Sequence, residues 1–258
     1  MIPALSVRNL GKSFGGLVAV QGICMESHPG QILSIIGPNG AGKTTLFNCL
    51  SGIYRPDHGS VSLNGTDITG LAPHLVARRG LSRSFQNIRL FPEMSVLQNV
   101  MVGRFSRTPA FPLGFLLRTP AWRRSEREAE RVSLDLLEFV GLADRAASWA
   151  RELPYGLQRR LEVARALATE PAVLLLDEPG AGMNPSEIAA MMRLVGSIRD
   201  RGIAVVVIEH HMRLVMEISD RILVLDHGEP IAEGIPSAVR SDPRVIEAYL
   251  GRSEEDHV

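Results

Sequence analysis

Gly37-Pro38-Asn39-Gly40-Ala41-Gly42-Lys43-Thr44, entered from the apolar run Ile32-Leu33-Ser34-Ile35-Ile36 and left through Thr45-Leu46-Phe47-Asn48-Cys49-Leu50, decides the fold. It fits G-x-x-x-x-G-K-[ST] in the context the motif requires, a strand running through a glycine-rich turn into a helix. Glycines let the backbone curl so that successive N–H groups point at a phosphate, and the helix N-terminus adds its dipole. Lys43 is placed to bring a cation to β/γ oxygens, and the Thr44 hydroxyl to ligate Mg²⁺. The motif predicts a nucleoside triphosphate site.

Downstream, apolar runs and helical patterns alternate: a strand at 173–176, a helix at 185–199, a strand at 203–208, a helix at 210–219 and a strand at 222–225. Buried strands alternating with helices predict a parallel sheet. Upstream the reading is short strands and turns. Leu5-Ser6-Val7-Arg8 alternates, and Ser60-Val61-Ser62-Leu63 faces Thr66-Asp67-Ile68 across Asn64-Gly65, a strong hairpin signal. Between these regions, 87–120 mixes proline, glycine and apolar residues. A long helix is expected at 121–140, with Leu134, Leu137 and Val140 on one face, and another at 155–168. The expected organisation is a nucleotide-binding α/β core at 1–86 and 159–258, with an antiparallel β part at its N-terminal end and a helical insertion at 87–158. Only residues 253–258 read as a loose tail.

Composition narrows the class. The 258 residues carry 28 Lys+Arg and 28 Asp+Glu, a formal net charge of zero, so no overall field draws the chain to nucleic acid. Arg123, Arg124 and Arg127 interleave with Glu126, Glu128 and Glu130, which reads as a solvated helix face. Cys24 and Cys49 show no C-x-x-C spacing, arguing against a disulfide scaffold or a zinc site and fitting a reducing compartment. The longest apolar runs are far too short to cross a bilayer, and no basic-then-apolar leader opens the chain. A soluble, cytoplasmic protein is expected.

Two further features carry chemistry. The strand at 173–176 ends in Asp177-Glu178-Pro179, delivering two carboxylates to the sheet edge where ligands bind in open α/β folds. Asp177 is placed to hold Mg²⁺ through its water shell, and Glu178 to act on an attacking water as base or orienting acceptor. His210 follows the next strand, within reach of a γ-phosphate; a single histidine there is also compatible with a helix cap.

In order along nearly the whole chain, these residues resemble an ABC-type ATPase subunit. The likeness rests on the phosphate loop, Ser82-Arg-Ser-Phe-Gln-Asn-Ile-Arg-Leu-Phe91, Leu153-Pro-Tyr-Gly-Leu-Gln158 with Arg160 and Ala164-Arg-Ala-Leu167, Asp177-Glu178, Ile208-Glu-His210, Ile218-Ser-Asp-Arg221 and Val245-Ile-Glu-Ala-Tyr-Leu-Gly251. In detail it is similar to the ATP-binding subunits of branched-chain amino-acid importers, and the Leu117-Arg-Thr-Pro-Ala121 stretch fits that type. The resemblance implies a P-loop NTPase fold: α/β, with a mixed sheet, an antiparallel β subdomain and a helical insertion. It implies that Gln86 senses Mg²⁺ and the γ-phosphate, and it places Phe14 where the family has an adenine-stacking aromatic. From the residue alone Phe14 is as readily a core or edge position. Asn184 falls where the family usually has Asp.

The family signature, L-S-G-G-Q, reads here Leu153-Pro154-Tyr155-Gly156-Leu157 followed by Gln158. The serine hydroxyl is gone and Leu157 replaces a polar residue. Proline suits a first helical turn, and the N–H groups of Tyr155 and Gly156 with the helix dipole still suit a phosphate. The resemblance implies that Tyr155, Gly156 and Gln158 complete the site of a second ATPase subunit, identical or related, in a dimer enclosing two ATP molecules. It implies two membrane-spanning permease subunits, indirect contact with a periplasmic or extracellular solute-binding protein, no nucleic acid, and a peripheral position on the cytoplasmic face of the membrane. Ile88, Leu90, Phe91 and Met94 either pack the insertion down or line a groove for a permease helix. The alternatives are the ATPase of a lipopolysaccharide-type exporter and a non-transport ABC ATPase.

Overall fold

The computed structural model describes residues 2–84, 88–107 and 119–250. Two sheets organise it. In the first, β1 (Leu5–Phe14) pairs antiparallel with β2 (Leu17–Ser27) and with β4 (His58–Leu63), and β4 pairs with the short β5 (Thr66–Asp67), giving the order β2-β1-β4-β5. Both central residues of the predicted Asn64-Gly65 turn have positive φ (47° and 77°), as a tight hairpin requires. The β1–β2 turn is Gly15-Gly16, also with positive φ at both positions.

The second sheet has six strands in the order β10-β9-β3-β8-β7-β6. These are β3 (Ile32–Ile36), β6 (Leu81–Arg83), β7 (Val173–Asp177), β8 (Ala204–Ile208), β9 (Arg221–Asp226) and β10 (Glu229–Gly234). All neighbours are parallel except β9 and β10, so the sheet is mixed, as expected.

Strict alternation in the buried strands splits the core between the two faces of this sheet. Leu33, Ile35, Leu175, Val206 and Ile208 join one apolar cluster with α1 (Lys43–Leu50) and the antiparallel sheet. Ile32, Leu174, Leu176, Val205 and Val207 join a second. That cluster draws on α3 (Val96–Arg104), α4 (Pro120–Phe139), α5 (Tyr155–Leu167) and α6 (Pro185–Asp200). At the β9–β10 end, Ile36, Ile222 and Val224 pack against α7 (Met212–Ile218), α8 (Pro236–Arg240) and α9 (Pro243–Leu250). Helix α2 (Pro73–Arg79) ends on Gly80 in the left-handed conformation and leads into β6.

Three details add to the reading. The stretch at 87–120 contains α3, whose N-terminus is a complete capping box between Ser95 and Gln98. In α4, Leu137 and Val140 are buried but Leu134 is 39% exposed, because only a narrow stripe of this charged helix meets the core. Pro154 stands at the N-cap of α5, directly before the helix start at Tyr155. The tail at 253–258 lies outside the described residues.

Candidate nucleotide site

The strand order sets the site. The ends of β3, β8 and β7 lie side by side, and their register aligns Ile35 with Ile208 and Ile208 with Asp177. The segments leaving these strands emerge at one edge: the phosphate loop after β3, Glu209 to His211 after β8, and Glu178 after β7. Sequence order alone would not place β8 between the other two.

A cavity of about 670 Å³ opens over this edge, lined by Phe14, residues 39–45, Glu178 and Ile208. Phe14 is exposed, meets Tyr54 edge-to-face at 5.1 Å and carries the Lys12 ammonium 5.3 Å from its ring centroid. Asn39, Gly40, Ala41, Gly42, Lys43, Thr44 and Thr45 all line the cavity, whereas Gly37 and Pro38 are buried behind it. Lys43 Nζ donates to the carbonyls of Gly37 (2.7 Å) and Pro38 (2.8 Å), so the cation also ties the loop's entry. Glycine is required at two points: a Cβ on Gly37 would run into the carbonyl oxygen of Leu225, and one on Gly42 into that of Ala19.

The two carboxylates sit in different surroundings. Asp177 is buried, and Arg83 NH2 donates to its Oδ2 at 2.8 Å. Glu178 is half-buried, with Oε1 at 3.7 Å from His210 Nδ1. Its backbone sits at φ +48°, a conformation uncommon for a residue with a side chain. The contact Glu178 N–H to Ile208 O (3.0 Å) anchors it to β8. His210 is half-exposed, and its ring lies 4.1 Å from that of His211. His211 Nδ1 in turn lies 2.7 Å from Oε1 of the fully buried Glu209.

Gln86 lies outside the described residues. Tyr155, Gly156 and Gln158 are absent from the cavity's lining. They form the first turn of α5, where a helix cannot satisfy its own N–H groups. Gln158 Nε2 donates to Leu153 O (2.8 Å), and Tyr155 OH accepts from Arg159 (2.8 Å). Asn184 is the N-cap of α6, its side chain accepting from the N–H groups of Ser186 and Glu187 at 3.0 Å each.

Sequence reading missed Leu17, Val18, Ala19 and His227, which complete the cavity wall. It also missed Arg83 and Glu209. Arg83 and Glu209 stand inside stretches that carry the family resemblance, but no role was read for either; the Gly15-Gly16 turn points to Leu17, Val18 and Ala19. Behind the cavity, the closing helix approaches Gly37. Burial raises the Tyr249 phenol above its ordinary range, opposed by the N–H of Gly37 and reinforced by the Asp226 carboxylate.

Beside the site, a groove of about 450 Å³ runs between the core and the α3–α5 helices, its wall including Ile53, Leu81, Arg83, Phe91, Val102 and Arg165. Phe91 is 43% exposed. Leu90, next to it, packs into the core, so the two possibilities for this segment fall on adjacent residues. Among the described residues no helix is long and apolar enough to cross a membrane.

Comparison with known proteins agrees with this geometry. A family model described as ABC transporter matches residues 20–181, and one described as branched-chain amino acid ATP-binding cassette transporter matches residues 229–255. The chain is 47% identical over 252 residues to the high-affinity branched-chain amino acid transport ATP-binding protein BraF of Pseudomonas aeruginosa, covering 97% of this chain and 99% of that one. It is 45% identical, with the same coverage, to the corresponding protein LivG of Escherichia coli. Among solved structures, the ADP conformation of an ATP-binding cassette of an ABC transporter superposes with a TM-score of 0.85 at 33% identity, covering 97% of this chain and 100% of that one.

Proposed function

The chain belongs to the ABC transporter family of ATP-binding proteins, and from that premise we propose that its hydrolysis of ATP energises import of branched-chain amino acids. It is an ATPase of the cassette type. The observation that supports the reading is the shared edge of β3, β8 and β7: Lys43 and Glu178 line one cavity there, and His210 Nδ1 lies 3.7 Å from Glu178 Oε1.

In this reading the amides of residues 39–45 and the Lys43 ammonium bind the phosphates, and Phe14 stacks on the adenine with its open face. Glu178 accepts the proton of the attacking water, and His210 contacts the γ-phosphate from the next strand. The donor set suits a hard cation: the Thr44 hydroxyl, the Asp177 carboxylate and the Gln86 amide would hold Mg²⁺. When bound, the metal neutralises charge on the β- and γ-oxygens. Phosphoryl transfer needs positioning and charge stabilisation more than covalent chemistry, which these groups supply.

The first turn of α5, with Tyr155, Gly156 and Gln158, completes the site of a second ATPase subunit, so ATP holds the pair together and hydrolysis releases it. The groove beside Phe91 takes a short cytoplasmic helix of a membrane permease, placing the chain peripherally on the cytoplasmic face of the membrane. Co-expression with candidate permeases and reconstitution into vesicles with a solute-binding protein tests the assignment. ATP-dependent uptake of leucine, isoleucine and valine is expected; uptake of another solute alone would overturn the substrate class.

A further inference from the structure

Arg83 ends β6 with its side chain almost withdrawn from water: 6% exposed, against 5% for Asp177. Its guanidinium reaches three side chains from two other elements. NH2 donates to Asp177 Oδ2 (2.8 Å), and NH1 donates to Asn48 Oδ1 (2.7 Å) and Ser51 Oγ (3.2 Å) at the end of α1. Its central carbon lies 5.4 Å from the centroid of the Phe47 ring. One planar, permanently charged group thus joins the strand before Gln86, the helix that starts at the phosphate loop and the carboxylate at the end of β7. Lysine, a single point charge, cannot span the same acceptors. The same residue also contributes to the wall of the groove that carries Phe91.

A buried carboxylate without a counter-charge is costly. With Arg83 bound to Oδ2 at 2.8 Å, the Asp177 carboxylate is paired and held in one orientation. Among the described residues no other side chain hydrogen-bonds that carboxylate, so Oδ1 is left for a cation or a water of its shell.

We propose that Arg83 is a positioning residue for the metal: it fixes the Asp177 carboxylate in the orientation a nucleotide-bound divalent cation requires. The inference rests on the reading of Asp177 as the metal carboxylate. Two physical effects of removing Arg83 have opposite signs, which makes the proposal testable. Loss of a nearby positive charge alone would tighten cation binding; loss of orientation loosens it.

The test is Mn²⁺ titration of the full-length chain at saturating ADP, followed by electron paramagnetic resonance, for wild type, Arg83→Lys, Arg83→Met and Asp177→Asn. Outer-shell partners of this kind commonly change metal affinity by about tenfold or more, and that rise in the Mn²⁺ midpoint is expected for Arg83→Met. Arg83→Lys, which keeps the charge but not the fork, should rise by at least about threefold and decides the matter if the methionine variant does not fold. ADP binding in excess chelator should stay at the wild-type value in both, a readout that general damage to the fold would move. A raised midpoint in Asp177→Asn with wild-type or tighter midpoints in the folded Arg83 variants overturns the inference alone. A wild-type midpoint in Asp177→Asn overturns the metal reading and the inference with it.

Discussion

Glu178 Oε1 lies 3.7 Å from His210 Nδ1, although the two side chains leave different strands. The approach depends on the left-handed backbone of Glu178 (φ +48°) and on its N–H bond to Ile208 O, the last residue of β8. Such backbone is maintained only where its surroundings over-determine it. The spacing is too long for a hydrogen bond, and contacts of this kind often tighten only when substrate is present.

Glu178→Gln keeps the shape of the side chain and removes its basicity. Steady-state hydrolysis should fall by about 100-fold or more, the usual share of a general base, while ATP binding persists and an ATP-bound dimer accumulates. Size-exclusion chromatography with ATP and a phosphate-release assay check this. Turnover within about threefold of wild type, far short of that share, would remove Glu178 from the role.

Lys43→Ala should act on binding. The ammonium bonds to the carbonyls of Gly37 and Pro38, so alanine loses a tie across the loop's entry as well as the charge proposed to bind phosphate. A charge-assisted hydrogen bond contributes roughly 1.5–3 kcal/mol, so affinity for a fluorescent ATP analogue should drop at least about tenfold. An unchanged titration curve would mean that the loop's amides dominate.

The two cysteines should separate by reactivity. Cys49 lies buried in α1, and desolvation pushes its thiol up to about 11, whereas Cys24 is exposed. The reactive thiolate of Cys49 is absent below that value, only about one part in a thousand at pH 8. Iodoacetamide at pH 8 should label Cys24 alone in the folded chain and both residues in urea, read by mass spectrometry. Native labelling of Cys49 would show that α1 opens readily.

Features that one stretch of chain encodes were legible in the sequence. The phosphate loop, the buried strands β7 and β8, the Asn64-Gly65 turn and the Asp177-Glu178 pair each carry their own local signature. The α3 helix falls inside the expected helical insertion, but no bounds were read for it, because proline and glycine are mixed through 87–120 although Ser95-x-x-Gln98 spells a capping box. Strands β1 and β2 run longer than their alternation implies because bulges break the register near Leu10 and Lys12. Glu178's backbone, the Arg83–Asp177 pair and the Glu209–His211 contact were not legible. Each depends on strand neighbours, and strand order is a property of the whole fold.

Gly156→Asp tests the signature. A Cβ at Gly156 would come 2.7 Å from Glu187 Oε1 and 3.3 Å from its Cγ, so the added carboxylate meets another carboxylate. Glu187 also accepts from Asn184 N–H (3.0 Å) in the capping box of α6, and displacing it would disturb that cap, costing about 1 kcal/mol. The isolated variant should melt slightly earlier yet bind ATP normally, because Gly156 is not in the cavity. Hydrolysis by the assembled transporter should be lost. Normal hydrolysis there would show that the start of α5 does not complete a neighbouring site.

Phe91 decides whether the groove receives a partner. Its backbone is fixed independently of its ring: the buried Asn99 accepts from Phe91 N–H (2.9 Å) and donates to Phe91 O (3.0 Å). The ring itself is exposed beside the Arg165 guanidinium, 5.7 Å away. Phe91→Asp should therefore leave folding and ATP binding of the isolated subunit unchanged. At an interface a buried aromatic anchor commonly contributes about 2 kcal/mol or more, and a carboxylate in an apolar groove adds desolvation cost. Co-purification with the permease subunits should fail, and uptake of leucine, isoleucine and valine should fall to background. A leucine substitution, which restores the apolar contact without the ring, should recover most of both. Normal assembly and uptake in Phe91→Asp would show that this groove takes no part in docking.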